Sequence, residues 1–147
     1  MSTLQTNDLQ DRIARLEDCI QDAPQVDLNT KHVLSGGMYA RTIVIPAGTA
    51  MVGAAHRKDH LDVMQGDVTF TLGDGTLKRL TGQHVLATPA GAKRVGFVHT
   101  DTIWTTICAT DLTDIPAIED ELVVESADLQ TRQQAIDGVR LYQLETE

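Results

Sequence analysis

A chain of 147 residues with 41% hydrophobic and 22% charged side chains is one domain's worth of ordinary globular sequence. No apolar run approaches the roughly 18 residues a membrane span needs, and a net charge of −9 argues against non-specific nucleic-acid binding. Residues 1–30 carry six acids against two arginines (−4), residues 31–110 five acids against eight Lys and Arg (+3), and residues 111–147 ten acids against two arginines (−8). All five histidines lie in the middle segment. A mildly basic, histidine-bearing centre between acidic flanks reads as a core module, 31–110, between an N-terminal segment, 1–30, and an acidic C-terminal extension, 111–147.

The start, MSTLQTNDLQDRI, lacks a basic segment followed by an apolar one, so no secretory signal is expected and the chain is assigned to a reducing cytoplasm. There Cys19 and Cys108 read as small buried hydrophobes rather than a disulfide. In TNDLQDRIARLEDCIQDAP, Leu9, Ile13, Leu16 and Ile20 recur at spacings of four, three and four. That is one helical stripe, with Thr6, Asn7 or Asp8 as N-cap and Pro24 past its end. A stripe of about two heptads is marginal alone. It packs either on its own barrel or in a short parallel bundle between subunits.

From Lys31 to Thr110 the period changes to two. Tyr39, Arg41, Ile43 and Ile45 alternate along one strand; Val68, Phe70 and Leu72 alternate along another, followed by a Gly73-Asp74-Gly75 turn. HVLATPAG, KRVGFVH and TIWTTICAT supply further strands. Turn residues every eight to twelve positions, with no helical stretch between, predict a closed antiparallel sandwich or barrel. After Asp111 the expectation is one short strand around Leu122–Val124, a helix over 127–136 stopped by Gly138, and an apolar patch at Val139, Leu141, Tyr142 and Leu144.

The stretch IPAGTAMVGAAHRKDHLDVMQGDVTFTLGDG resembles the first motif of the cupin family, with a glycine before a histidine cluster and a second glycine opening the next strand. Gly82, Pro89 and Gly91 in GQHVLATPAGAKRVGF match the punctuation of the second motif. The resemblance covers residues 31–110 and implies an all-β fold, a cupin-type jelly roll (double-stranded β-helix) of about eight strands. PAGAKRVGFVHTDTIWTTICATDLTDIPAIEDELV also resembles small cupin-like proteins of tailed bacteriophages.

The family's metal site implies two histidines and a glutamate from the first motif and a histidine from the second. Here His56 and His60 are separated by three residues rather than one, no glutamate lies between Gly53 and Gly66, and Lys93-Arg94 occupies the second motif's histidine position. Asp59, His84 and His99 are the remaining ligand candidates, with His99 the choice for a third nitrogen. Such a set would hold a divalent Fe, Mn, Ni or Zn. On an extended strand His56 and His60 would sit about 13 Å apart, so sharing an ion requires a tight loop at Arg57-Lys58-Asp59. The competing reading is a cationic ligand pocket of Arg41, Lys93 and Arg94 lined by Tyr39 and Trp104, since guanidinium forks suit carboxylates and phosphates. Its bland alternative pairs the arginines with Asp62, Asp67 or Asp101 on the barrel surface.

No nucleophile elbow, phosphate-binding glycine loop or CxxC pair is present, the acidic run Glu119-Asp120-Glu121 reads as a solvated segment rather than an acid/base dyad, and no catalytic residue is assigned. Three functions remain. The first, favoured here, is a non-enzymatic, phage-encoded cupin-fold protein that oligomerises as a structural or accessory component of a virion-type assembly. The others are a metal-dependent enzyme acting on a small molecule and a sponge or sensor for a small anion. The favoured reading expects a homo-oligomer, a trimer through residues 6–21, with a protein partner docking on that helix or on the acidic C-terminal segment. Replacing Ile13 and Leu16 with Asp then places charge in an apolar seam. Sedimentation analysis should show the assembly dissociating, and an unchanged assembly would assign the helix to its own subunit.

Overall fold

The computed structural model describes residues 3–21, 23–72, 74–124 and 139–143, with side chains for 11–20, 23–72 and 74–124. Helix α1 (Thr3–Gln21) precedes strands β1 (Lys31–Ser35), β2 (Met38–Ile45), β3 (Thr49–Gly53), β4 (His60–Thr71), β5 (Leu77–Thr88), β6 (Val95–Val98) and β7 (Thr102–Ala109); helix α2 (Ile115–Leu122) and strand β8 (Val139–Gln143) follow. Neighbouring strands run in the order β1-β2-β7-β4-β6-β3-β8, with β5 on the other side of β4. Every pairing is antiparallel. The all-β jelly-roll class and the strand number implied by the resemblance are thus observed, with one short helix before the sheet. No described helix is long and apolar enough to cross a membrane.

Local chemistry sets the register. Gly36 and Gly37 take φ of 59° and 74°, the left-handed pair that a two-residue β1–β2 hairpin requires. β4 pairs with β5 along its whole length, but its other neighbour changes from β7 over Leu61–Gln65 to β6 over Val68–Phe70. Gly66 sits at that exchange with φ 152°, and a Cβ there would lie 2.2 Å from Thr102 Oγ1 and 2.8 Å from Thr102 Cα. Only glycine admits so close a backbone. The inward residues Ile43, Ile45, Met51, Met64, Val68, Phe70 and Val98, with Leu28 from the preceding loop, form the main core. A second cluster of Tyr39, Cys108, Ile118, Leu122 and Val123 closes one end under α2.

Four expectations need correction. α1 begins at Thr3, so Thr6, Asn7 and Asp8 lie inside it rather than capping it; Leu4 and Gln5 are good helix formers and extend it. The strand around Leu122–Val124 is instead the end of α2, with Val123 making a single bridge to His56. Asp114 caps that helix by accepting from Ala117 N at 3.2 Å, Pro116 enters its first turn, and Ile115, Ile118 and Leu122 fall on one face. Glu119, read as solvated, is 3% exposed. Cys19 is exposed while Cys108 is buried. The patch at Val139–Gln143 forms β8 against β3; the helix placed at 127–136, Gly138, Leu144 and Gly73 of the turn lie outside the described residues.

Gly66→Ala should lower the unfolding free energy by about 3 kcal/mol through overpacking and a strained φ, seen as an earlier urea midpoint. An unchanged midpoint would mean that the strand exchange tolerates a Cβ.

Candidate functional site

The alternation along β4 turns His60, Asp62 and Met64 inward, each 9% exposed or less. A buried carboxylate is costly unless every lone pair finds a donor, and Asp62 finds donors on two neighbouring strands. Its Oδ1 accepts from Thr106 Oγ1 at 2.8 Å and Trp104 Nε1 at 3.1 Å. Its Oδ2 accepts from Thr88 Oγ1 at 2.6 Å and lies 3.4 Å from His60 Nε2 and 3.8 Å from Arg94 Nη1. Thr106 faces Asp62 directly across β7, and Thr88 faces His60 across β5. Burial pushes the Asp62 carboxyl up, but the hydrogen bonds from His60, Thr88 and Thr106 outweigh it and hold the group at about 2. Asp62 is an anion at any physiological pH.

His60 Nδ1 lies 3.1 Å from the Lys58 carbonyl and its Nε2 faces Asp62. Burial disfavours its charge, yet acceptors on both ring nitrogens hold the imidazolium, so its pKa is raised. His56 is its neighbour, with ring centroids 4.3 Å apart. The Arg57-Lys58-Asp59 segment is therefore the tight loop that adjacency requires. That loop is pinned from outside: Arg57 N donates to Leu122 O at 2.7 Å, Lys58 pairs with Glu121 at 2.7 Å, and Gly91 N donates to His56 O at 2.8 Å. Burial, then the charge of His60, depresses His56 to about 4. The two rings are thus pushed in opposite directions, the charge favoured on His60 and disfavoured on His56.

These residues form one wall of a cavity of about 90 Å³ with Arg41, Arg94, Trp104 and an apolar wall of Ile43, Met51, Val68 and Phe70. Arg41 reaches in from β2 with its Nη2 inaccessible to solvent. Burial lowers its pKa, while Tyr39 and Glu119 favour its charge. Arg94 lies 5.3 Å over the Phe70 ring, and its side chain makes no hydrogen bond among the described residues.

Of the candidate ligand-binding residues, Arg41, Arg94 and Trp104 meet at this cavity together with His56 and His60. Tyr39 belongs to the second cluster and hydrogen-bonds His32 Nδ1 at 2.5 Å. Lys93 faces the other way and pairs with Glu17 of α1 at 2.7 Å. His99 hydrogen-bonds Thr69 at 2.8 Å beside Phe97, His84 donates to Thr81 O, and Asp59 accepts from Ala90 N. None of these three lines the cavity. The surface pairings take a different form: Asp67 takes Arg79 bidentately at 2.7 and 2.9 Å, Asp101 accepts from Ala47 N, and Arg94 approaches Asp62 in the interior. Thr88 and Thr106 were not among the sequence candidates, and Asp62 was named there only as a surface partner for the arginines. The available signal was the His60-x-Asp62 spacing, which puts both on the same strand face as the core residues.

A divalent metal does not fit this donor set. Both nitrogens of His60 face acceptors, the Asp62 oxygens are engaged by hydroxyl and indole donors, and a guanidinium stands 3.8 Å from Asp62. Among the described residues no three His, Cys, Asp or Glu side chains are grouped to hold an ion.

No protein family and no curated protein matches the chain in sequence. Solved structures similar to it include an ectoine synthase from P. lautus (15% identity, TM-score 0.49, covering 86% of this chain and 83% of that one). KdgF from Halomonas sp. matches at 17% identity and TM-score 0.48, covering 60% and 85%. A cupin superfamily protein from Desulfitobacterium hafniense matches at 17% and 0.47, covering 61% and 84%. The likeness is one of fold.

The His56 environment sets a pH dependence. Its folded pKa lies below its unfolded value, so its contribution to stability is complete above pH 6.5 and is lost as pH falls toward 4. The loss is about 3 kcal/mol. Chemical denaturation at pH 7 and pH 4.5 should show this fall, and His56→Gln should reduce it. An equal fall in the variant would place the titrating group elsewhere.

Proposed function

We propose that the cavity binds a small organic anion, a carboxylate or phosphate on an apolar body, with Arg94 as the receiving fork. One observation carries this: Arg94 lines the cavity beside the Phe70 ring and 3.8 Å from Asp62, and among the described residues its side chain makes no hydrogen bond. A guanidinium in that state has a bidentate face for an anion. Two guanidiniums, Arg41 and Arg94, line the cavity beside a single lining carboxylate, Asp62, and His60 is a ring whose charged form is favoured. Ile43, Met51, Phe70 and Trp104 supply surface for the apolar body.

The reading is of a binding protein, a sensor or sponge, rather than an enzyme. Asp62 is committed to structural donors, and burial raises the Cys108 thiol to about 11, far from an activated nucleophile. The phage-encoded structural role rests on the two flanks. Both engage their own barrel: Glu17 pairs with Lys93, Ile20 is 3% exposed, and α2 covers the Tyr39 cluster. The cavity therefore supports the small-anion reading better.

Titration calorimetry against a panel of short-chain and aromatic carboxylates and their phosphate counterparts should give saturable one-site binding. Arg94→Gln should weaken it 10- to 100-fold, the worth of a charge-assisted hydrogen-bond pair. Absence of binding across the panel, or binding indifferent to Arg94→Gln, would overturn the proposal.

A further inference from the structure

The polar groups that line the cavity are unevenly divided between donors and acceptors. Thr106 Oγ1 and Trp104 Nε1 donate to Asp62 Oδ1, and Thr88 Oγ1 donates to Asp62 Oδ2. His60 turns one ring nitrogen to the Lys58 carbonyl and the other to Asp62. His56 hydrogen-bonds the Ala54 backbone, whose carbonyl favours a proton on the ring. Beyond the guanidiniums of Arg41 and Arg94, every side-chain N–H and O–H of the lining is thus directed at an acceptor of the protein itself. The same groups leave lone pairs over. A hydroxyl that has donated its one proton still accepts, and an imidazole with one N–H carries a lone pair on its second nitrogen. Burial lowers the His56 ring to about 4, so that lone pair is present at pH 7. Its ring neighbour His60, 4.3 Å away between centroids, has both nitrogens turned elsewhere, and among the described residues no other group donates to it.

We propose that the ligand of this cavity is a hydroxy acid, its carboxylate on Arg94 and its hydroxyl donating to the second nitrogen of His56. With Arg94 receiving the anion, the reading above on which this rests, the ligand's other polar group is chosen by what the rest of the lining can do. A hydroxyl brings the proton that the His56 nitrogen lacks. A keto oxygen brings only lone pairs; set against His56 and the spent hydroxyls of Thr88 and Thr106, it would lose its hydration without gaining a partner. An unsubstituted acid would bury the His56 nitrogen unmatched. An ammonium could donate, but it would stand among two guanidiniums. A site that pairs with a substrate hydroxyl rejects the analogue lacking it more steeply than an apolar pocket discriminates by size. The acceptor is also held in place: Gly91 N donates to His56 O at 2.8 Å and Arg57 N to Leu122 O at 2.7 Å, fixing the loop that carries the ring. Ile43, Met51 and Phe70 receive the carbon chain.

Titration calorimetry of the full chain at pH 7 with butyrate, 2-oxobutyrate and the 2- and 3-hydroxybutyrates holds the carbon skeleton constant and varies the second group. The better hydroxy acid should bind about tenfold tighter than butyrate and than the keto acid. In His56→Leu the ratio of hydroxy acid to butyrate affinity should fall below about threefold. Equal affinity of the unaltered chain for all four acids, or a preference for the keto acid, overturns the hydroxy-acid assignment while leaving Arg94 as the anion's fork; neither arm depends on a variant folding. A hydroxyl preference undiminished in His56→Leu overturns His56 as the acceptor. No binding by any of the four overturns the assignment as well, and absence across the wider carboxylate and phosphate panel takes the anion reading with it.

Discussion

The site depends on one buried carboxylate. Asp62 sits 4% exposed inside the barrel, where an ionised acid is tolerated only if fully hydrogen-bonded. Meeting that demand recruits Thr88 from β5, Thr106 and Trp104 from β7, and His60 from β4 itself. These donors fix the indole and ring orientations that shape the cavity wall. The carboxylate, with the Lys58 carbonyl, also favours the charged form of His60, and a charge there disfavours one on the adjacent His56. The electrostatic pattern of the cavity follows from one residue's need for partners.

The same network gives the remains of the first motif a different chemistry from metal ligation. A coordinating imidazole needs a free lone pair, and His60 turns both nitrogens toward acceptors. Where a third histidine would complete such a site, Arg94 supplies a guanidinium beside Phe70. The loop that carries His56 is anchored by backbone bonds to the end of α2 and by the Lys58–Glu121 pair. The acidic C-terminal extension therefore contributes directly to positioning one ring of the histidine pair.

Much of the sheet was legible because period-two alternation survives wherever one strand face is apolar. Tyr39, Arg41, Ile43 and Ile45 announce β2, and the Gly-Asp-Gly turn announces the β4–β5 hairpin. The interior polar network was less legible, since an inward aspartate looks like any surface aspartate until cross-strand register names its partners. Adjacent residues also part company just before β6: Arg94 turns into the cavity, and Lys93 turns to Glu17 on α1. Tyr39 and Arg41 share an inward face, yet two residues of rise place Tyr39 in the cluster under α2. The separation of His56 and His60 depends on a three-residue loop whose path is set by α2, far along the sequence. α2 itself was missed because IPAIEDELVV ends in a β-branched run that resembles a strand.

The central claim is the charge state of the histidine pair. Nitrogen-detected NMR of the imidazole rings at pH 6 measures it most directly. The account predicts both nitrogens of His60 protonated and His56 as a single neutral tautomer, with His60 reverting to neutral when Asp62 is replaced by Asn. A neutral His60 beside a protonated His56 in the native chain would contradict it.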